Sequence, residues 1–232
     1  MTLPTIEAPT YTVTLPSNNQ SIKFRPFLVK EEKILLTALE SKEDSYIKNS
    51  MVQILSNCIY NDDIDFYKLP LFDIEYLFLQ LRAKSVGEIA EPTMTCPKCK
   101  NQFSLKIDIS KIKPKIKKDT VYQYLLDETG TLGVTLKYPN LDSSNALESD
   151  DDYLFILVDC IDEIFTDKEV FKAEDHTKEE LTEFVEGMQT FQLEKILEFF
   201  RDIPTVQYEE NYKCSCENTV EIKLRGLTDF FI

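Results

Sequence analysis

An α+β fold follows from three features of the 232-residue sequence. Apolar residues alternate near both ends and in the middle, helical spacing fills the stretches between, and paired cysteines sit in two of the alternating segments. Hydrophobic residues make up 43% and aromatics 11%, which suits a folded body with a sizeable core. No apolar run reaches the ~20 residues of a membrane helix. The opening MTLPTIEAPT lacks the basic start and apolar block of a secretory signal. The chain is therefore expected to stay in a cytoplasm while it folds, with no membrane partner.

The elements follow in chain order. YTVTLP and SIKFRPF flank SNNQ, a turn-forming cluster, and predict an N-terminal β-hairpin within residues 1–29. Residues 30–87 read as a helical cluster. Ile34, Leu35, Ala38 and Leu39 share one helix face, and Ile47, Met51, Ile54, Leu55 and Cys58 share the next, with Ser41 to Asp44 as its capping box. Ile74, Leu77, Phe78 and Leu81 face inward on a third helix from Leu71 to Ala83. Residues 88–140 and 204–232 are assigned to one β module. In it Phe103, Leu105, Ile107 and Ile109 alternate after the first cysteine pair, TVYQYLLDETGTLGVTLKYP forms a second hairpin, and VQYEENYK and VEIKLRGL flank the second pair. The intervening residues 141–203 are read as an acidic helical insertion. Leu154, Ile156, Leu157, Cys160, Ile161 and Ile164 make one helix face, Thr177 to Glu180 cap a second helix, and Phe191 to Phe200 form a third.

The cysteines carry the most specific chemistry. Cys58 and Cys160 fall on apolar helix faces and are assigned to the core. Cys96 and Cys99 form C-x2-C, Cys214 and Cys216 form C-x-C, and each pair sits on a turn between strands. Two such knuckles brought together supply the four thiolates of a tetrahedral structural zinc site, a zinc-ribbon-like arrangement; iron suits the same donors. The long segment between the pairs is then an insertion, since closure cost rises only logarithmically with loop length. A redox CxxC would open a helix, whereas CPKC precedes a strand, and a structural disulfide does not suit a reducing compartment.

No catalytic constellation is found. His176 is the sole histidine and lies in AEDHTKEE beside a helix start, and neither a nucleophile elbow nor a Gly-rich phosphate loop is present. The Asp62, Asp63, Asp65 and Asp150, Asp151, Asp152 clusters lack EF-hand spacing and read as solvated charges. The net charge is −15, and between Asp142 and Glu186 there are 16 acidic residues against 3 lysines. Such a balance repels nucleic acid and favours basic partners. The stretch Lys100 to Lys118, with 7 lysines against Asp108, supports the rival reading of a zinc-ribbon nucleic-acid binder.

IKFRPFLVKEEKILL (22–36), LFDIEYLFLQLRAKSVGE (71–88), VTLKYP (134–139) and LRGLTDFF (224–231) together closely resemble the baseplate hub subunit family of T-even-like contractile-tailed bacteriophages. The resemblance runs from about Tyr11 onward. It implies a non-enzymatic late protein that assembles the central hub through other hub or tail proteins, either as an assembly chaperone in the host cytoplasm or as part of the virion tail. It implies no catalytic residues. Two partner surfaces are expected from the residues themselves. One is the strand-to-helix motif of Arg25, Phe27, Lys30, Glu31 and Glu32, for which a purely structural role, with Arg25 paired to a local carboxylate, is the alternative. The other is the apolar tip carrying Phe230 and Phe231, which must either dock into the protein's own core or meet a partner.

Overall fold

The computed structural model describes residues 6–41, 43–61, 63–116, 122–143 and 153–226, which form a mixed α+β protein of two compact units. The first unit comprises residues 1–66, 72–116 and 205–232, and the second comprises 67–71 and 117–204. Charge divides between them unequally. Nine basic and 22 acidic residues give the second unit −13, while 17 basic and 19 acidic residues leave the first at −2.

In the first unit, β1 (Tyr11–Thr14) and β2 (Ser21–Phe24) pair antiparallel as the alternation requires, with Val13 and Ile22 opposite one another and buried. The helices α1 (Val29–Ser41) and α2 (Asp44–Cys58) follow, and β2 is extended by backbone bonds to the chain leaving α2. Ser41 does not cap α2. It ends α1, where its hydroxyl donates to the Ala38 carbonyl, and Glu43 stands at the N-cap without a side-chain bond. The third helix, α3 (Leu71–Ser85), is the centre of the unit. Ten of its residues are buried around its circumference, as befits a helix enclosed by other elements rather than lying on a surface. Among them is Asp73, which accepts from the Ser17 hydroxyl and from its backbone N–H at 3.2 Å, tying the β1–β2 turn to the helix.

Four short strands lead away from α3: β3 (Ile89–Ala90), β4 (Thr93–Thr95), β5 (Gln102–Ser104) and β6 (Ile107–Asp108). They pair as β3 with β6 and β4 with β5, and the alternating Phe103, Leu105, Ile107 and Ile109 are all buried. The unit closes with the seven-residue strands β11 (Gln207–Lys213) and β12 (Thr219–Arg225), paired in full register. Their base meets α3 through Glu75, whose carboxylate accepts from the Val206 N–H at 3.4 Å, while Gly226 N–H reaches the Val206 carbonyl. Burial pushes the Glu75 carboxyl up to about 7, against the pull of the Val206 N–H and the Arg225 charge. A carboxyl with a raised folded-state pKa weakens the fold as pH climbs from the ordinary glutamate range past 7. Glu75→Gln is therefore expected to raise the denaturation midpoint at pH 8 and to leave it nearly unchanged at pH 4, measured by urea unfolding.

In the second unit, β7 (Gln123–Leu125), β8 (Gly133–Leu136), β9 (Ile161–Phe165) and β10 (Val170–Lys172) form one antiparallel sheet in the order β10-β9-β8-β7. Three helices accompany it: α4 (Tyr153–Cys160), α5 (Lys178–Glu186) and α6 (Thr190–Arg201). Val134, Ile156, Leu157, Cys160, Ile161, Ile196 and Phe199 lie at its core. The reading of 141–203 as purely helical needs correction. The helix over Leu154 stops at Cys160, and Ile161 to Phe165 continue without a loop as β9. The β7–β8 hairpin pairs with β9 rather than with the cysteine hairpins. Gly133 permits this, since a Cβ there would collide with the Phe165 ring and come within 2.7 Å of the Tyr124 carbonyl oxygen. Thr177 caps α5 in a full capping box with Glu180, as its sequence predicts.

Candidate metal centre

The two cysteine hairpins are built on one plan. In the β4–β5 turn, Cys96 N–H donates to the Asn101 carbonyl at 2.9 Å, and Lys100 N–H returns to the Cys96 carbonyl. In the β11–β12 turn, Cys214 N–H donates to the Asn218 carbonyl at 2.9 Å, and Glu217 N–H returns to Cys214. Lys100 (φ 59°) and Glu217 (φ 63°) both take the left-handed conformation, each immediately after the second cysteine. The C-x-C knuckle is thus the C-x2-C turn shortened by one residue, with its closing bond and left-handed residue kept. A further contact joins the hairpins. Phe103 of β5 stacks on Tyr212 of β11 with ring centroids 4.0 Å apart and planes within 7°.

These turns bring the four sulfurs together, all within 4.8 Å of one another. The Cys96 and Cys216 sulfurs lie 3.8 Å apart, and those of Cys99 and Cys214 lie 3.6 Å apart. Both distances far exceed the ~2.05 Å of a disulfide. Four sulfurs placed ~2.3 Å from a tetrahedral zinc are separated by about 3.8 Å, so the cluster has the spacing of such a shell. Cys96 and Cys214 are buried, Cys216 is half-buried and Cys99 is exposed. Among the described residues this is the group of three or more His, Cys, Asp or Glu side chains placed to hold a metal ion.

The electrostatics of the cluster suit a cation. The backbone N–H of Cys99, followed by that of Lys98, draws the Cys96 thiol down to about 6, and the Cys216 N–H lowers Cys214. Cys99 accepts from the Asn101 N–H, yet the neighbouring thiols of Cys216, Cys214 and Cys96 push it up to about 12. Backbone donors therefore favour the first thiolates, while their charge opposes the later ones. A divalent ion at the centre removes that opposition and lets all four ionise. Asn218 adds a side-chain N–H 3.9 Å from the Cys96 sulfur, an outer contact that orients a ligand.

The remaining candidates are placed as follows. Cys58 and Cys160 are fully buried, with thiol pKa values raised to about 11 and about 12 by burial. His176 lies on the surface with Nδ1 3.3 Å from Glu180, beside the α5 cap. Asp150 to Asp152 and Asp62 lie outside the described residues, as do Phe230 and Phe231. Arg25, Phe27 and Glu31 turn inward. Glu31 has no exposed side chain and receives Arg25 Nη2 at 3.1 Å and the Leu28 N–H at 2.8 Å, while Lys30 and Glu32 stay in solvent. In the basic stretch, Lys106 pairs with Glu91 and Lys111 with Asp108, and Lys117 and Lys118 lie outside the described residues.

The sequence model of one protein family, the T4 bacteriophage base plate protein, matches residues 8–232. The chain belongs to this family. Membership places it among the structural proteins of a T4-like phage base plate, with other tail or base plate proteins as its partners and the virion tail as its place. No curated protein and no solved structure matches the chain. Among the described residues, no helix of this base plate protein is long and apolar enough to cross a membrane.

Proposed function

We propose that this base plate protein acts in assembling the central hub of the tail, by protein–protein contact and without catalysis. The observation that carries the reading is the family match across nearly the whole chain. Zinc held by Cys96, Cys99, Cys214 and Cys216 completes a ribbon-like β module. Its role is structural, because four protein thiolates fill the tetrahedral shell and leave no position for a substrate. Partner contacts are assigned to the exposed part of the β2–α1 turn, where Lys30 and Glu32 stand beside Leu28 and Val29, and to the C-terminal Phe230 and Phe231. Arg25, Phe27 and Glu31 serve that surface from beneath by fixing the turn. The protein works in the host cytoplasm during assembly.

Capture of the tagged protein from infected cells, with mass spectrometry of the captured set and of purified virions, tests this reading. Hub proteins are expected in the captured set. Presence in virions makes the protein a lasting hub component, and absence makes it an assembly chaperone. Recovery of nucleic acid or host enzymes in place of tail proteins overturns the proposal.

A further inference from the structure

The two edges of the second unit's sheet are treated differently by the chain. At the β7 edge, α6 guards the backbone: Lys195 Nζ donates to the Leu125 carbonyl at 3.1 Å and Gln192 Nε2 donates to that of Leu126. Among the described residues no side chain caps the backbone of β10, the opposite edge. Its residues Val170, Phe171 and Lys172 are all exposed, Val170 to 59%. The edge is short and carries Lys172, yet its exposed Val170 and Phe171 and its outward backbone groups leave it able to pair with another strand.

The register shows which groups face outward. Thr166 N–H donates to the Glu169 carbonyl at 2.8 Å, closing the β9–β10 turn as a hydrogen-bonded pair. Alternation makes Phe165–Val170 a non-bonded pair, Ile164–Phe171 a bonded one and Glu163–Lys172 non-bonded again. The backbone N–H and carbonyl groups of Val170 and Lys172 therefore point away from β9, along the open edge. A polar cleft of about 190 Å³ lies beside them, lined by the carboxylates of Asp162, Glu163 and Glu174 with Lys137 and Lys172. The unit that carries this edge holds a charge of −13.

We propose that the β10 edge takes up an extended basic segment of a neighbouring tail protein by strand addition. The segment's backbone pairs with Val170 and Lys172, its apolar side chains pack on Val170 or Phe171, and its lysines or arginines reach Asp162, Glu163 and Glu174 at the cleft. The occupant is set as basic by charge complementarity, which speeds encounter and turns away acidic segments. The inference deepens the assembly reading by assigning a docking surface and the chemistry of its partner.

A short labelled peptide of alternating valine and lysine is the probe, with a valine–glutamate peptide as control. The wild-type protein is expected to bind the basic peptide and not the acidic one, with binding that weakens as salt rises. Amide exchange should slow at Val170 and Lys172. Val170→Pro removes an N–H that no sheet bond uses, so the denaturation midpoint should hold while affinity falls by roughly tenfold or more. Peptide binding that survives Val170→Pro, or protection elsewhere on the acidic surface, overturns strand addition. A dimer that Val170→Pro dissociates gives the edge to a second copy and overturns it as well. The peptide assay uses no tail protein, so its failure is distinct from failure of the capture experiment.

Discussion

Serine at Cys96 or at Cys214 is expected to remove bound zinc and to destabilise the protein in the same step. Each of these buried sulfurs lies within 4.8 Å of the other three, and three thiolates with a serine hydroxyl make a far weaker shell for zinc. Structural zinc contributes on the order of 10 kcal/mol in small modules that have no other core. The loss here is smaller, because α1, α2 and α3 bury apolar residues of their own, among them Leu35, Ile54, Leu55 and Phe78. Zinc content by elemental analysis and the denaturation midpoint should fall together in both variants, and a chelator should reproduce the shift in the wild type. Full zinc content in both serine variants would remove the four-thiolate site.

Glu31→Ala is expected to be the most damaging single change to a charged residue in the helical part of the first unit. Glu31 is fully buried, and its carboxylate serves three donors: Arg25, Lys30 and the Leu28 backbone N–H. Its loss uncaps α1 and leaves the guanidinium in a partly buried position without its counter-charge. Arg25 keeps the carbonyls of Pro26 and Asn57 and some contact with solvent, which sets the expected cost at about 3 kcal/mol, the low end for breaking a buried pair. Glu31→Gln retains an acceptor for the Leu28 N–H and should lose less. A double-mutant cycle with Arg25→Met isolates the coupling. An alanine variant within about 1 kcal/mol of wild type would show that the pair contributes no more than a surface salt bridge.

The cysteine centre was legible because its signal is chemical and local. Two close pairs of a metal-binding residue on strand-flanked turns need little tertiary context to be recognised. The Phe103–Tyr212 stack between the same hairpins was not, since no local pattern links residues so distant in sequence. The N-terminal hairpin and the Thr177 capping box were readable for the same reason as the cysteines, each being settled by a few neighbours. The segment around Ile161 was misread because Leu154 to Ile164 satisfies helical spacing and Ile161 to Phe165, apolar at 161, 164 and 165, shows no alternation that would announce a strand. The free edge of β8 makes it a strand, and that edge is a tertiary fact. Ser41 failed as a cap because α1 runs on to consume it. For Glu31 the sequence left open a partner surface or a structural pair with Arg25, and the structure shows the pair, with the carboxylate wholly inside.

The ligands of the cysteine centre reach the cell in two instalments. Cys214 is synthesised 115 residues after Cys99. At about 5–20 residues per second, a ribosome makes the second pair roughly 6–23 s after the first. Residues 117–204, nearly all of the second unit, are produced in that interval, so this unit has the opportunity to fold while the first knuckle waits with two thiolates and no complete shell. With the proposed zinc, metal capture becomes a late checkpoint on translation: a chain interrupted before Cys214 presents half a site, and only a chain read through both hairpins completes the four-sulfur cluster.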